Sequence, residues 1–133
     1  MFSTVCYSVK NDGDLKISKN FRVREFKCSD GSDPVFVDPK LVWVLQKVRD
    51  HFDNSVNITK NGGYRNPTQN KKSGGAEFSQ HMYGRAADIW VANVSPAKVA
   101  EYLETFMSDW GGIGIYNSFV HVDTRDVRSR WKG

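Results

Sequence analysis

The fold of this chain is decided by residues 79–89, which read SQHMYGRAADI. The stretch leaves a glycine-containing loop and enters the apolar segment from Ala86 to Val91, a pattern typical of a buried strand. Asp88 stands inside that segment among alanine, isoleucine, tryptophan and valine. Because an isolated carboxylate is costly to bury, Asp88 must be paired, hydrogen-bonded or bound to a metal.

Two helices are predicted around this strand. Asp38 and Ser95 are capping residues, and each is followed by a proline, which suits the first helical position. Apolar residues then recur at helical spacing, namely Leu41, Val44, Leu45, Val48 and Phe52 in the first helix and Val99, Tyr102, Leu103 and Phe106 in the second. We expect Gly111-Gly112 to stop the second helix.

Shorter elements complete the prediction. Residues 56–59 have the pattern of a strand, and a short helix is predicted from Asn66-Pro67 to Lys72. Near the end, residues 113–116 and 119–123 predict a hairpin around a turn at Asn117-Ser118. No repeat or linker interrupts the chain, so residues 1–133 are predicted to form a single domain.

Composition excludes several classes of protein. The chain has 133 residues, of which 39% are hydrophobic, and this excludes a disordered chain. No apolar window is long enough for a membrane span, and Met1 to Lys10 lack the features of a signal peptide. The net charge of +4 is scattered, so we expect no nucleic-acid partner. Cys6 and Cys28 have neither zinc-knuckle spacing nor disulfide-scaffold density, so we expect two free or buried thiols.

Two of the three histidines stand in positions that suggest chemistry. His81 precedes Asp88 by seven positions, and His121 occupies the middle of an apolar strand. Two imidazoles and one carboxylate are ligands that catalytic zinc uses while a fourth position stays open to water. On spacing alone, a local hydrogen bond or a capped turn explains the same residues. His51, near the end of the first helix, is expected at the surface, interacting with the helix dipole.

Three strings resemble one known family. Residues 79–89 resemble the serine, histidine, glycine, alanine, aspartate signature of the zinc D-alanyl-D-alanine carboxypeptidase-like peptidases. Residues 61–67, NGGYRNP, are similar to the glycine-tyrosine-arginine turn of that family. Residues 111–116, GGIGIY, and 119–123, FVHVD, resemble its closing hairpin. The strings occur in the family's order, and the resemblance covers most of the chain.

The resemblance implies a fold, a metal and a reaction. The implied fold class is α+β, a small antiparallel sheet with helices packed on it and a zinc site at the end of the sheet. His81, Asp88 and His121 would hold Zn2+. The expected reaction is hydrolysis of amide bonds in the stem peptides of peptidoglycan, by a carboxypeptidase or an endopeptidase. Zinc would supply the nucleophile, because it lowers the pKa of its bound water from 15.7 towards about 7.

Further residues match the family's substrate contacts. Arg65 matches the substrate arginine, whose guanidinium suits either a terminal carboxylate or the oxyanion of the scissile carbonyl. Ser79 resembles the substrate-contacting hydroxyl, although a turn serine explains it nearly as well. Tyr83 is expected to bind the substrate and Tyr64 to line the pocket with it, although both are also explained as aromatic packing residues at loop ends.

The general base does not match the family's usual pattern. Many relatives carry an acidic residue where this chain has Ser118, and some carry a histidine where it has Phe119. Asp123, two residues after His121, is therefore the acidic candidate for catalysis, and strand alternation puts both on one face. Equally, Asp123 is explained as the acceptor that orients a zinc-bound imidazole, or as an ion-pair partner of Arg125 or Arg130.

The departure at Ser118 motivates a rival hypothesis, a catalytically silent zinc-containing module that binds the cell wall or belongs to a phage tail. For the enzyme, the missing signal peptide suggests a protein made in the cytoplasm that acts at the bacterial wall, such as a phage endolysin or a tail-associated enzyme. We expect a monomer. Trp131 is expected to cover the core, and the basic run after Arg125 to be a solvated end.

Overall fold

The computed structural model describes residues 4–133, along which short strands and helices alternate. The strands of this range are β1 (Val5–Ser8), β2 (Lys16–Ser18), β3 (Phe21–Arg22), β4 (Pro34–Val37), β5 (Val56–Ile58), β6 (Ala86–Val91), β7 (Gly112–Ile115), β8 (Val120–Asp123) and β9 (Ser129–Lys132). The helices are α1 (Val9–Asp12), α2 (Pro39–Phe52), α3 (Pro67–Lys72) and α4 (Pro96–Glu104), with 3-10 helices at Val23–Phe26 and Gln80–Tyr83. Residues 1–3 lie outside the described residues. They belong to the predicted domain and to the segment from Met1 to Lys10 that lacks the features of a signal peptide.

A five-stranded sheet in the order β5-β6-β8-β7-β9 forms the centre of the fold. The pairs β5-β6, β6-β8 and β7-β8 are antiparallel. The predicted α+β class and the hairpin near the end of the chain are confirmed. The basic run after Arg125 is expected to be a solvated end. Instead, part of it forms β9, which pairs in parallel with β7 at the edge of the sheet. Two further pairs, β1-β4 and β2-β3, form small separate sheets.

The helices start where capping residues precede prolines. The side chains of Asp38, Asn66 and Ser95 each accept a backbone N–H of the following turn, and Pro39, Pro67 and Pro96 are the first helical residues. These local signals confirm the predicted starts of α2, α3 and α4. The second predicted helix ends at Glu104, before the glycine pair, because the N–H and the hydroxyl of Thr105 bond back to the carbonyl of Tyr102.

The sheet has one face towards the helices and one towards the candidate site. Side chains alternate along a strand, and on β8 Val120 and Val122 enter the hydrophobic core while His121 lies on the other face. On β6, Ala87 and Ile89 enter the core, and Asp88 shares the face of His121. The apolar sides of α2 and α4 cover the core face.

Several expectations about single residues are also met. Cys6 and Cys28 are free thiols, the first exposed and the second buried. His51 is exposed and stacks on Tyr102, with ring centroids 3.8 Å apart. Between residues 4 and 133, none of the helices has the length and apolar character needed to cross a bilayer.

Asp38 connects the start of α2 to the strands that carry the site. Its side chain is buried, and one carboxylate oxygen accepts the N–H of Lys40 at 2.9 Å. The other oxygen accepts the hydroxyl of Thr124, the residue after β8. The N–H of Asp38 donates to the carbonyl of Gly84 at 2.8 Å, at the end of the loop that contains His81. One residue thus joins the helix, the loop and the strand.

We expect Asp38→Ala to lower the free energy of unfolding by about 2–4 kcal/mol, since it removes a cap and leaves the buried hydroxyl of Thr124 without its acceptor. Urea denaturation measures the change. Ser95→Ala is the matched control, because Ser95 caps α4 at an exposed position and its loss should cost only about 1 kcal/mol. Equal losses in the two variants would contradict the structural role of the Asp38 to Thr124 contact.

Candidate metal centre

Three buried side chains from separate elements converge on one point. His81 lies in the 3-10 helix Gln80–Tyr83, Asp88 lies on β6, and His121 lies on β8 directly opposite Asp88. Each offers one potential ligand atom, and these atoms all lie within 4.8 Å of one another. The structure therefore brings together the three residues predicted to bind the metal.

The ring of His81 is oriented by the backbone of the loop before α3. Its Nδ1 lies 2.9 Å from the carbonyl oxygen of Gly63. Because a carbonyl only accepts, Nδ1 carries the proton and donates it. The lone pair of His81 is then on Nε2, which lies 3.3 Å from Oδ1 of Asp88. This tautomer leaves Nε2 as the ligand atom.

The ring of His121 is oriented by a carboxylate. Its Nε2 lies 2.7 Å from Oδ2 of Asp123, and its Nδ1 lies 3.1 Å from Oδ1 of Asp88. A proton on Nε2 donates to Asp123 and leaves a lone pair on Nδ1. His81 therefore offers Nε2 and His121 offers Nδ1, both towards Asp88.

This set of donors needs a cation at its centre. Two lone pairs and a carboxylate repel one another unless a proton or a metal ion lies between them. Without a metal, protons on these nitrogens would take its place: burial favours the neutral form of Asp88, but hydrogen bonds donated by protonated His121 and His81 outweigh it and lower the pKa of Asp88 well below its usual range. Burial likewise opposes charge on His121, yet its bonds to Asp123 and Asp88 raise the pKa of His121. Two imidazole nitrogens and one carboxylate fit zinc, with a fourth position open.

Asp123 is fully buried behind His121, and its two oxygens are heavily engaged. They accept the backbone N–H of Gly112 at 2.9 Å and three N–H groups of Arg125 at 2.7–3.1 Å, besides the ring of His121. Burial acts to raise the pKa of Asp123, but the bonds from His121 and Arg125 prevail and lower it. Asp123 is therefore a charged acceptor on the side of His121 that faces away from Asp88.

Arg65 lies on the other side of the ligand cluster and is held in place by its neighbours. Its Nε donates to the carbonyl of Asn61 at 2.9 Å, and its Nη1 lies 3.4 Å from Oδ1 of Asn70. Its Nη2 lies 3.4 Å from Oδ2 of Asp88. The side chain is 13% exposed, so the guanidinium is fixed beside Asp88 with a small surface open to solvent.

A cavity of about 520 Å³ opens above the ligands. Arg65 and Ser79 line it together with the three ligands, and the Ser79 hydroxyl also accepts the N–H of His81 at 3.3 Å. The predicted substrate contacts Arg65 and Ser79 are therefore next to the ligands, and Ser79 is also a turn residue.

The two tyrosines lie elsewhere. Tyr83 is not among the residues that line the cavity, and its ring is half exposed at the far end of the 3-10 helix. Tyr64 is buried and packs on Phe36, with ring centroids 5.4 Å apart. Packing at a loop end therefore describes Tyr64, whereas the position of Tyr83 gives no support to the predicted substrate contact.

Sequence reasoning missed the roles of several residues that build the site. Asn70 supports Arg65, and Gly63 supplies the carbonyl that orients His81. A Cβ at Gly112 would lie 2.3 Å from Oδ2 of Asp123, so only glycine leaves room for that carboxylate. Trp131, expected to cover the core, instead lines the cavity together with Arg125. The sequence shows the glycine pair, but only the pairing of β7 with β8 shows that Gly112 makes room for Asp123.

Comparisons with known proteins agree with this geometry. A family model described as Peptidase M15 matches residues 18–123. The zinc D-Ala-D-Ala carboxypeptidase of Streptomyces albus G is 50% identical over 48 residues, which are 36% of this chain and 18% of that protein. The probable peptidoglycan L,D-endopeptidase MepK of Haemophilus influenzae is 38% identical over 78 residues, which are 53% of this chain and 40% of that protein.

The matched regions therefore span less than half the length of either relative. The family model, by contrast, covers most of this chain and includes the three ligand residues. The resemblance inferred from the three sequence strings is confirmed. With a buried cluster of two histidines and an aspartate whose donor atoms fit zinc, the chain belongs to the peptidase M15 family.

Proposed function

We propose that this protein is a zinc peptidase that hydrolyses an amide bond in the stem peptides of peptidoglycan. The observation that carries the proposal is the position of His81, Asp88 and His121 at one end of an open cavity, beside the guanidinium of Arg65. The names of the two relatives, one a carboxypeptidase and the other a probable peptidoglycan endopeptidase, support the substrate class.

The two imidazole ligands are oriented by acceptors within the protein. The Gly63 carbonyl selects the tautomer of His81, and Asp123 selects that of His121. When bound, zinc supplies Lewis acidity, which polarises the scissile carbonyl and lowers the pKa of water. All three ligands line the cavity, so a zinc ion held by them would be accessible to a peptide that enters it.

Arg65 is suited to stabilise the negative charge that develops on the scissile carbonyl oxygen. Its guanidinium lies against Asp88, so it is next to the place where that carbonyl would be polarised. Asn61 and Asn70 hold it there, and a preorganised donor needs little rearrangement as charge develops. We therefore assign the oxyanion to Arg65 in preference to a terminal carboxylate.

Asp123 is proposed as a positioning residue for His121. Its oxygens already accept hydrogen bonds from Gly112, Arg125 and His121, and its side chain has no exposed surface. A base must reach the proton that it abstracts, whereas Asp123 lies behind the imidazole. Among the described residues that line the cavity, Asp88 is the sole carboxylate. These contacts favour the orienting role over the role of base.

Hydrolysis and zinc binding should depend on the same histidine. Zinc-loaded protein should release products from purified muropeptides, and mass spectrometry identifies the bond. Loss of a terminal D-alanine indicates a carboxypeptidase, and a cut within the stem or cross-link indicates an endopeptidase. His81→Ala should lose both bound zinc and hydrolysis, whereas His51→Ala, a change at an exposed histidine, should keep both. Binding to peptidoglycan without any product, at one zinc per chain, would instead support a silent wall-binding module.

The affinity for zinc should depend on Asp123. Asp123→Asn should weaken zinc binding by about 10- to 100-fold, because a neutral amide orients His121 less well and leaves Arg125 without its anion. Competition with a chromogenic chelator measures the affinity. Asp126→Asn is the matched control, since Asp126 is exposed and about 4.0 Å from Arg85. Unchanged affinity in Asp123→Asn would remove the positioning role.

The rate of hydrolysis should depend on Arg65. Arg65→Ala should lower kcat by about 100- to 1,000-fold, the loss typical of an oxyanion donor, with the zinc content unchanged. Steady-state kinetics on the muropeptide cleaved by the unmodified protein measures it. Arg24→Ala, at an exposed arginine, serves as the control. A rise in KM with kcat unchanged would assign Arg65 to ground-state binding of a carboxylate.

A further inference from the structure

We propose that Trp131, on the edge strand β9, forms an apolar wall of the substrate cavity and selects the side chain next to the scissile bond. The inference rests on the proposed peptidase function and deepens it. Residues 18–123 match the family model, so Trp131 lies outside the part of the chain that the family comparison describes.

The register of the sheet places Trp131 in line with the zinc ligands. Asp88 is opposite His121 on neighbouring strands, His121 is opposite Gly114, and Gly114 is opposite Trp131. Residues directly opposite one another share a face of the sheet. The indole therefore lies on the same face as the ligands, two strands beyond His121.

Gly114 lets the indole reach His121 across the intervening strand β7. A Cβ at position 114 would lie 2.3 Å from Nε1 and 2.4 Å from Cε2 of Trp131. With glycine there, the indole lies directly on the backbone of β7. Its ring centroid is 5.0 Å from that of His121, so the indole borders a zinc ligand.

The indole is held rigidly in this position. Its Nε1–H donates to the hydroxyl of Tyr116 at 2.9 Å, and Tyr116 stacks on Phe119 with centroids 4.5 Å apart. The guanidinium of Arg125, already fixed by Asp123, lies 5.4 Å from the indole centroid. Trp131, Tyr116 and Phe119 all line the cavity, so together they form one continuous aromatic wall.

The aromatic wall differs in chemistry from the part of the cavity lining that contains Arg65 and Ser79. Those two side chains are polar and suit the peptide backbone, whereas the three rings are uncharged and suit a small aliphatic side chain. The charge of Arg125 beside the indole is paired with Asp123. Because the indole borders His121, that side chain belongs to a residue flanking the bond that is cut. Burial of one methyl group against such a wall favours alanine over glycine by roughly 10- to 200-fold in kcat/KM.

The test compares paired synthetic stem peptides that carry alanine or glycine on either side of the bond cut by the unmodified protein. The unmodified protein should prefer alanine by about tenfold or more on one side. Trp131→Ala should reduce that preference to near one at unchanged zinc content, and Trp131→Phe should keep much of it. Gly114→Ala should resemble Trp131→Ala, because its Cβ displaces the indole.

Trp90→Ala is the matched control, since Trp90 is 45% exposed on β6 and does not line the cavity. It should leave the preference for alanine unchanged. An undiminished preference in Trp131→Ala, with hydrolysis otherwise intact, would overturn the wall and leave the peptidase function standing.

A second readout does not depend on turnover. The chain has four tryptophans, so nitrogen-15 NMR of the zinc-loaded protein shows four indole N–H signals, and Trp131→Phe assigns one of them. Adding an intact muropeptide should shift the Trp131 signal and leave that of Trp90 in place. A shift without hydrolysis would refute the peptidase function and retain the wall as a binding surface, whereas an unmoved Trp131 signal would overturn the wall.

Discussion

The pairing of Asp88 with His121 across β6 and β8 is the contact on which the site depends. It places a carboxylate and an imidazole, both almost fully buried, side by side on one face of the sheet. Burial of a carboxylate is unfavourable without compensation, and His81 supplies the third group from a separate loop. The charge of the buried Asp88 must be neutralised for the protein to be stable, and a bound metal ion would neutralise it.

Each imidazole is oriented by a different acceptor, and this gives the centre its shape. A backbone carbonyl fixes His81, whereas a buried carboxylate fixes His121. The carbonyl is part of the loop that also carries Arg65, and the carboxylate is held by Arg125. The metal ligands are therefore tied on one side to the loop that supports the proposed oxyanion contact and on the other to the wall that contains Trp131.

The sheet separates packing from chemistry by strand alternation. Val120 and Val122 face the helices, and His121, between them, faces the cavity. Glycines at 112 and 114 on the neighbouring strand make room for Asp123 and for the indole of Trp131. A short strand without side chains at these positions lets two large groups lie against the backbone and reach the same histidine.

Features that depend on neighbours in the chain could be predicted from the amino-acid sequence. The starts of α2 and α4, the buried strand β6 and the final hairpin all follow from caps, prolines and periodicity, and the family signature named the three ligands. Contacts between distant segments were decided by the tertiary structure alone. The parallel pairing of β9, the carbonyl of Gly63 on His81 and the indole of Trp131 beside His121 appear only when these segments pack together. Strand register depends on packing across the whole sheet, and a local pattern such as the terminal basic run carries no information about the strand that it will join.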